Sequence, residues 1–491
     1  MNIFESNWVK IPWWSIRKAT YLIIISLLGV LIIGTIAFIL YMKSLPPLST
    51  WHTTALTNDF TVNSKIEDFD AYVALEEKLF QELDSEVVDK VLETEQNMVN
   101  RYTKNSFSDP KRWSKAWNKS FELPVENPKM GVLLLHGMSD SPYSLHAQAE
   151  YLQKKGVWVV AMRMPGHGTI PSGLTGITWQ DMAAVVKIGM KRLTEKLGNK
   201  PIHIMGYSTG APLALNYTFT ALQDSTLTLP SSLIFYSPAI GVSKAAPFAI
   251  WQSRMGHFFS LPKLEWNSIA PEYDPFKYNS FAVNAGDQVY RLCKEVQKQF
   301  DDYYKETNPI KAFPPLLSFQ SIIDNTVSVS DTVNHLYKRL PKGDHTLVLF
   351  DINNHFSSNL LVKEKVSDTI QYLKENSGGS NYQFDLISDM NSAEGNLQLI
   401  RNNKVVKSLS YTWPKTLFSL SHLAMPIPKS DPLYGSKNAS KSPGIKLGHL
   451  AMYGESSILE ISPSAILRQR WNPFHAYTKE RVLKFLELKN D

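Results

Sequence analysis

Short apolar runs alternate with amphipathic stretches through the middle of the chain. Six of the runs predict β-strands, namely Gly131–Leu135, Val157–Met162, Ile202–Met205, Leu233–Tyr236, Leu316–Ile323 and Thr346–Phe350. Between the early runs, apolar residues recur at helical spacing in Ser144–Lys155, Trp179–Leu197 and Thr209–Leu222. Strands that alternate with helices form a mostly parallel sheet flanked by helices, so the pattern predicts an α/β fold. In such a sheet the active site lies at the carboxyl ends of the strands.

A long segment, Pro238–Phe313, separates two of the predicted strands and is rich in large aromatic side chains. Structureless loops of this length are uncommon in compact domains. We therefore expect a mostly helical cap at about 238–313, over the edge of the sheet where the active site lies. An ordinary packed insertion is the alternative, and the two interpretations are compatible.

The pattern changes again after residue 375, where a linker-like Asn-Ser-Gly-Gly-Ser sequence interrupts the chain. Asn- and Gly-containing turns then separate three predicted strands, Phe384–Ile387, Asn396–Ile400 and Val405–Leu409. A last helix is predicted at Thr478–Lys489. We interpret residues 376–491 as a β-containing C-terminal extension that completes the fold.

The longest apolar stretch is near the start of the chain, where Ala19–Met42 carries no charge. About 20 apolar residues cross the hydrocarbon core of a bilayer as a helix. Lys10, Arg17 and Lys18 precede the stretch, whereas Lys43 is the main basic residue close behind it. Since positive residues are retained on the cytoplasmic side of a membrane span, this pattern predicts a cytoplasmic N-terminus and an extracytoplasmic body. A cleaved signal peptide is the alternative, but the stretch is long and no A-x-A site follows it. We expect a single-pass protein of the cell membrane whose body lies outside the cytoplasm, which is the periplasm if the cell is Gram-negative.

These features divide the chain into five parts. They are a cytoplasmic N-terminus (1–18), a transmembrane helix (19–42), a linker with an amphipathic helical segment (43–128), the α/β core (129–375) and the C-terminal extension (376–491). Within the third part, apolar residues of Ile66–Leu92 recur at helical spacing and charged residues fill the opposite face. We expect this segment to pack against the core.

Composition narrows the functional classes. The chain has 491 residues, of which 43% are hydrophobic and 20% charged, as in globular proteins. A net charge of +6 is small for this length and does not indicate nucleic-acid binding. Cys293 is the only cysteine, which excludes an intramolecular disulfide and a zinc site built from cysteines.

The strongest chemical signal is Gly206-Tyr207-Ser208-Thr209-Gly210, between a predicted strand and a predicted helix. A sharp strand-to-helix turn projects the serine above the sheet, and the glycines let the backbone fold tightly. The N-terminus of the helix favours negative charge developing nearby. Ser208 is therefore the candidate nucleophile, and an ordinary glycine-rich turn is the alternative.

A nucleophilic serine needs two donors for the oxyanion that forms on its substrate. We expect the backbone N–H groups of Thr209, which follows the serine, and of Met138, in the loop after an earlier strand. Gly137 permits a close approach of that loop. His136, and His167 in the next loop, are expected to shape these loops.

These motifs resemble the serine-hydrolase branch of the α/β-hydrolase superfamily. His136-Gly137, Met164-Pro-Gly-His-Gly-Thr169 and Gly206–Gly210 are most similar to the group of monoacylglycerol lipases, lysophospholipases and S33 serine aminopeptidases, over about 129–374. Phe418-Ser-Leu-Ser-His422 to Tyr434-Gly435 resembles a bacterial, membrane-anchored subset with a longer C-terminal part. The resemblance implies an α/β-hydrolase fold and a Ser-acid-His triad.

Asp324, at the end of a late predicted strand, matches the superfamily's acid position, and a helix N-cap is its alternative role. Two of the later histidines are candidates for the base. Strand order alone favours His355, soon after Thr346–Phe350. The Ser-Leu-Ser-His context of the bacterial subset favours His422, which we prefer, with His355 as the alternative.

The sequence thus predicts a serine esterase that cleaves lipid-like or acyl esters without a cofactor or metal. The apolar cap and the membrane segment favour such substrates. A peptidase is one alternative, in which Glu265, Glu272 and Asp274 would bind the substrate's amine. A non-catalytic, membrane-tethered binding protein on the same scaffold is another. The expected partners are a small-molecule or lipid ester and the membrane, with no nucleic acid, and the sequence identifies no protein partner.

Overall fold

The chain divides into two units at Pro47. The computed structural model describes residues 13–241, 261–305, 312–355, 371–373, 381–390, 392, 394–415, 417–450, 461–462, 468 and 470–489. In the first unit, helix α1 (Trp13–Ser44) contains the whole predicted apolar span and is long and apolar enough to cross a membrane. The second unit, Leu48–Asp491, contains the sheet and its surrounding helices.

The second unit is organised around a ten-stranded sheet. Its strands are β1 (Phe121–Leu123), β2 (Met130–Leu135), β3 (Val157–Met162), β4 (Ile202–Tyr207), β5 (Ser232–Tyr236), β8 (Leu316–Ser321), β9 (His345–Phe350), β10 (Gln383–Ser388), β11 (Asn396–Arg401) and β12 (Lys404–Thr412). A separate antiparallel pair consists of β6 (Trp266–Ser268) and β7 (Phe281–Ala282).

The strands of the sheet lie in the order β1-β3-β2-β4-β5-β8-β9-β10-β11-β12. The seven from β3 to β10 are parallel, and β1, β11 and β12 join antiparallel at the two edges. The carboxyl ends of β2, β4 and β8 therefore meet on one edge of the sheet, where the predicted nucleophile, oxyanion loop and acid follow them.

The helices of the second unit lie before, between and after these strands. They are α2 (Thr50–Thr53), α3 (Phe69–Glu86), α4 (His146–Lys154), α5 (Gly173–Gly176), α6 (Trp179–Leu197), α7 (Gly210–Gln223), α8 (Val283–Lys305), α9 (Val329–His335) and α10 (His475–Phe485). Alternate residues of each parallel strand face opposite sides of the sheet. Leu133 and Leu135 thus join the core beneath α6, α7 and α8, whereas Val132 and Leu134 join the core beneath α4 and α10.

Helix α3 lies within the predicted amphipathic segment and packs against the core, as expected. Asp68 caps it by accepting a hydrogen bond from the Ala71 N–H at 2.8 Å. Its buried face includes Tyr72 and Leu79, which are fully buried, but also the carboxylate of Glu76. A charge in that position needs a partner, because a buried and unpaired carboxylate is strongly destabilising.

The partner of Glu76 is Arg163, the residue after β3. Arg163 is fully buried, and its Nε donates to Glu76 Oε1 at 2.8 Å, while its Nη2 donates to Asp59 at 2.9 Å. Ser120 also donates to Glu76 from both its N–H and its hydroxyl, each at 2.9 Å. The N-terminal segment is therefore attached to the end of β3 by a buried ionic network.

The predicted fold class is confirmed, and so are the positions of the core strands. Two features were missed, namely edge strand β1 and the β6–β7 pair within the predicted cap. In that segment residues 242–260 lie outside the described part, and α8 packs against α7 on one face of the sheet. The last helix was predicted at Thr478–Lys489, but α10 begins at His475 and ends at Phe485. Two residues after its end, Glu487 has a left-handed φ of 56°, which does not continue a right-handed helix.

We predict that Glu76→Gln lowers the free energy of unfolding by about 3 kcal/mol, since it removes one partner of a buried ion pair. Glu77→Gln is the matched control, because the neighbouring carboxylate makes only an exposed ion pair with Lys119 and its loss should cost less than about 1 kcal/mol. Denaturant unfolding followed by tryptophan fluorescence measures both. Equal losses in the two variants would contradict this account of the network.

Candidate active site

Ser208 occupies a strained turn between β4 and α7. Its φ is 54°, a left-handed conformation that a serine rarely adopts. Three backbone hydrogen bonds hold it there: its N–H donates to the Tyr236 carbonyl at 2.9 Å, and its own carbonyl accepts from the N–H groups of Ala211 and Ala239, each at 3.1 Å. The neighbouring strand β5 thus stabilises the strained geometry that the sequence predicted.

Glycine is required on both sides of this serine for steric reasons. A Cβ at Gly206 would lie 2.6 Å from the carbonyl carbon of Gly210, and a Cβ at Gly210 would lie 2.2 Å from the Leu135 oxygen. Any larger residue would therefore push α7 away from the sheet. The close packing brings the N-terminus of α7 directly against the end of β2.

The predicted oxyanion loop follows β2 and lies beside the serine. A Cβ at Gly137 would be 2.9 Å from the Ser208 Cβ, so only glycine allows this approach. Ser139, two residues later, has a left-handed φ of 62° and turns the loop back. Within the described part of the chain, the backbone N–H groups of Met138 and Thr209 have no hydrogen-bond acceptor. Two donors beside the serine are thus available to a ligand.

The two early histidines support the loops, as the sequence suggested. The His136 Nδ1 lies 2.8 Å from the Gly137 carbonyl, and its Nε2 accepts from the Met164 N–H at 3.0 Å. Burial, followed by the neighbouring His167, lowers the pKa of His136 well below its usual value. His167 bonds the Pro165 carbonyl through Nδ1, and burial lowers its pKa to about 4. Both rings are neutral at pH 7.

Asp324 lies just after β8, and its carboxylate contacts the ring of His422. The distance from His422 Nδ1 to Asp324 Oδ2 is 3.0 Å, and both side chains are buried. The other carboxylate oxygen accepts from the N–H groups of Thr326 and Val327 at 2.8 and 2.9 Å. Burial alone would raise the pKa of Asp324, but the His422 ring and these amides lower it. The acid is therefore ionised at neutral pH.

His422 begins a short 3-10 turn, His422–Ala424, which Ser421 caps. Its ring lies against Tyr207, with 5.2 Å between the ring centroids, and the Tyr207 hydroxyl donates to its carbonyl at 3.4 Å. Tyr207 directly precedes the candidate nucleophile. The fold thus brings His422 to both the acid and the turn that carries Ser208, although it lies 98 residues beyond the acid.

The alternative base, His355, occupies a different place. It is exposed, its N–H donates to Asp389 at 3.0 Å, and its ring is close to Gly395 in the turn before β11. His345 is the first residue of β9 and so lies at the opposite edge of the sheet. His335 ends α9, His475 begins α10 and His449 is exposed in a loop.

An ion pair beside the oxyanion loop was missed by the sequence reasoning. Lys277 Nζ lies 3.2 Å from Asp140 Oδ2, and that oxygen would be 3.3 Å from a Cβ at Gly137. Burial raises the pKa of Asp140, and Lys277 opposes this effect. The only available signal was an acidic residue three positions after Gly137, since Lys277 comes from the distant cap segment.

Glu272 and Asp274 are two of the three cap-segment carboxylates considered for binding an amine, and both are bonded to neighbouring groups. Glu272 accepts from the N–H groups of Asn279 and Ser280 at 3.0 and 2.8 Å, and burial raises its pKa to about 7. Asp274 accepts from the Tyr434 hydroxyl at 2.8 Å and lies 3.3 Å from Arg470. Glu265 is partly buried at the end of a short 3-10 turn.

Parts of the chain are similar to known proteins. A family profile described as "Serine aminopeptidase, S33" matches residues 126–357. A thermostable monoacylglycerol lipase from Bacillus sp. (strain H-257) is 36% identical over 91 residues, which are 18% of this chain and 36% of the relative. The chain therefore matches about a third of that relative's length.

Solved structures with similar folds include two lipases. A soluble variant of the Saccharomyces cerevisiae monoglyceride lipase is 19% identical, with a TM-score of 0.37 and coverage of 52% of this chain and 91% of that one. For the Paleococcus ferrophilus monoacylglycerol lipase the identity is 19%, the TM-score 0.36 and the coverage 48% and 89%. Residues 126–357 thus match the profile of the S33 serine aminopeptidase family, and the sheet order with its strained serine turn is that of an α/β-hydrolase fold.

Proposed function

We propose that this chain is a serine hydrolase that cleaves carboxylic esters of lipid-like or other acyl compounds through an acyl-enzyme intermediate. The observation that carries the proposal is the His422–Asp324 hydrogen bond next to the turn that holds Ser208. A buried histidine paired with an ionised carboxylate and adjacent to a strained serine is the arrangement that serine hydrolases use to activate their nucleophile.

Each residue has a defined role in the proposed reaction. His422 accepts the Ser208 proton as the hydroxyl oxygen attacks the substrate carbonyl, and it later donates that proton to the leaving alcohol. Asp324 fixes the tautomer of His422 and stabilises the imidazolium. The N–H groups of Met138 and Thr209 donate to the oxyanion. Water, activated by the same histidine, then releases the acid and regenerates the serine.

Two considerations favour lipid-like esters as substrates. The relative with 36% local identity is a monoacylglycerol lipase, and an apolar helix precedes the hydrolase unit. The peptidase alternative needs acidic groups that can bind an amine, and Glu272 and Asp274 are already bonded to their own neighbours. A non-catalytic binding protein is the second alternative, and it would have no need for the strained Ser208.

We also propose that α1 anchors the protein in the cell membrane, with the hydrolase unit outside the cytoplasm. Helix α1 has 32 residues, and its most apolar window has a mean hydropathy of 3.0. Lys10, Arg17 and Lys18 precede its uncharged stretch, Ala19–Met42. Positive residues are retained on the cytoplasmic side of a membrane span, which gives this orientation.

We predict that Ser208→Ala lowers the rate of p-nitrophenyl ester and monoacylglycerol hydrolysis by at least ~10³-fold, because the covalent route is lost. Ser231→Ala is the matched control, since that serine is exposed and lies at the opposite end of β5. Labelling with a fluorophosphonate and mapping the modified peptide provides a second measurement. Full activity of Ser208→Ala, or a label on another serine, would exclude this nucleophile.

We predict that His422→Ala loses nearly as much activity as Ser208→Ala, because members of a triad act as a unit. The double variant should be little worse than either single variant. His355→Ala is the control, and it should retain most of the activity. Steady-state rates and fluorophosphonate labelling of the three variants distinguish the two histidines. Loss of labelling in His355→Ala alone would make His355 the base and His422 a structural residue.

We predict that alkaline phosphatase, which is active only outside the cytoplasm, is active when fused after Asp491. A green fluorescent protein fused at the same position and exported through the same general secretion route should be dark, because it does not fold after such export. The two fusions control for each other's expression. The opposite pattern of activities would reverse the orientation proposed for α1.

A further inference from the structure

A cavity of about 370 Å³ lies outside the candidate active site. One wall comes from α3 and the turn after it, and the other from the irregular segment 101–119. The loop residues Gly168 and Thr169 and the cap residue Phe276 close its inner end. Neither Ser208, Asp324 nor His422 lines it. Its volume falls in the range of small-ligand sites in proteins.

Most of the cavity wall is apolar. The large aliphatic and aromatic residues that line it include Phe80, Leu83, Val88, Trp113, Trp117 and Phe276. Such a surface is suited to an alkyl chain, because its burial removes apolar area from water on both sides. The segment that leads from α1 contributes to the same region, since Trp51 packs with Leu83 and Tyr102.

The wall also carries polar and charged side chains, and Arg101 is the most deeply buried cation among them. Its side chain is buried, with 4% of the residue exposed, and its guanidinium lies over the rings of Tyr102 and Tyr278 at 5.5 and 5.3 Å. Nη2 donates to the Gly168 carbonyl at 3.3 Å. Nε and Nη1 are buried and have no hydrogen-bond partner among the described residues. An unpaired buried cation is costly unless an anion is supplied.

No carboxylate of the described residues lies within ion-pair distance of Arg101. The acidic residues Asp84 and Glu77 of the cavity wall pair with lysines on the rim: Lys111 lies 2.6 Å from Asp84, and Lys119 lies 2.7 Å from Glu77. Glu272 accepts from the Arg101 backbone N–H through its carbonyl. Burial raises the pKa of the Glu272 carboxyl to about 7, and the charge of Arg101 partly opposes that rise.

A further donor without a partner belongs to the same wall. The buried indole Nε1 of Trp113 has no acceptor within the described part of the structure. Buried donors are nearly always hydrogen-bonded in folded proteins, and exceptions often indicate an absent ligand or water. Arg101 and Trp113 together provide donors suited to a carboxylate, which accepts several hydrogen bonds.

We propose that this cavity binds a long-chain fatty acid, with the alkyl chain along the apolar wall and the carboxylate on Arg101. Because Nε and Nη1 of the guanidinium are buried, binding requires the Arg101 side chain to rotate toward the cavity. Trp113 Nε1 provides a second donor to the carboxylate. This binding site is separate from the proposed ester hydrolysis and does not depend on it.

The experiment uses the full-length protein in nanodiscs of zwitterionic lipid and a fatty acid that carries a photoreactive diazirine. After irradiation, mass spectrometry quantifies the labelled peptides. We expect adducts in the peptides that span Phe80–Val88 and 101–119. Adducts in α1 report probe dissolved in the bilayer and serve as the internal reference. Labelling confined to α1 would overturn the proposal.

Competition tests the recognition of the carboxylate. Laurate should displace the probe from the cavity at least tenfold more effectively than 1-dodecanol, because only laurate carries the anion. Arg101→Met should abolish this preference while leaving the α1 adducts unchanged. Equal displacement by both competitors in the wild-type protein would exclude Arg101 as the anion site.

A second variant blocks the cavity without altering Arg101. Ala116 is exposed at the mouth of the cavity, so Ala116→Trp should fill it and reduce cavity adducts at least tenfold. Glu126→Trp, at an exposed position outside the cavity, is the matched control and should label normally. Ser208→Ala should also label normally, which separates this site from the hydrolase centre. Undiminished labelling in Ala116→Trp would place the fatty acid elsewhere.

Discussion

The close approach of three backbone segments around Ser208 is the constraint on which the candidate site depends. Gly206, Gly210 and Gly137 each lie where a Cβ would overlap a neighbouring atom, at 2.6, 2.2 and 2.9 Å respectively. Because these three residues have no side chain, α7 can pack closely against the end of β2 and against the loop that follows β2. The left-handed conformation of Ser208 follows from this packing, and so does the position of the two free N–H donors beside it.

The same edge of the sheet also holds the N-terminal segment. Arg163 continues β3 with a fully buried guanidinium that contacts Glu76, Asp59 and the carbonyl of His167. It therefore connects helix α3 to the loop that supports His136. The cavity beside α3 is adjacent to this network. The residues that precede the hydrolase core therefore support the loops of the candidate site and also line a separate cavity.

The sequence was most informative where the signal was local. The glycine pattern around Ser208 and the alternation of strands and helices depend on neighbouring residues, and the structure has both. The histidine was harder, since strand order favoured His355 and only the context of His422 favoured the residue that contacts Asp324. The partners of Arg163, Lys277 and Arg101 could not be predicted, because contacts across 80 residues or more leave no periodic pattern.

The distance along the chain between the parts of the site has a consequence for biosynthesis. Tyr207 and His422 are 215 residues apart, and β10, β11 and β12 are all made before the histidine. Contacts of such high sequence separation form late and slowly in folding, because a long loop must close first. During translation the serine turn can fold while the histidine is still unmade. A nascent chain therefore lacks the proposed hydrolase centre until at least residue 422 has been synthesised.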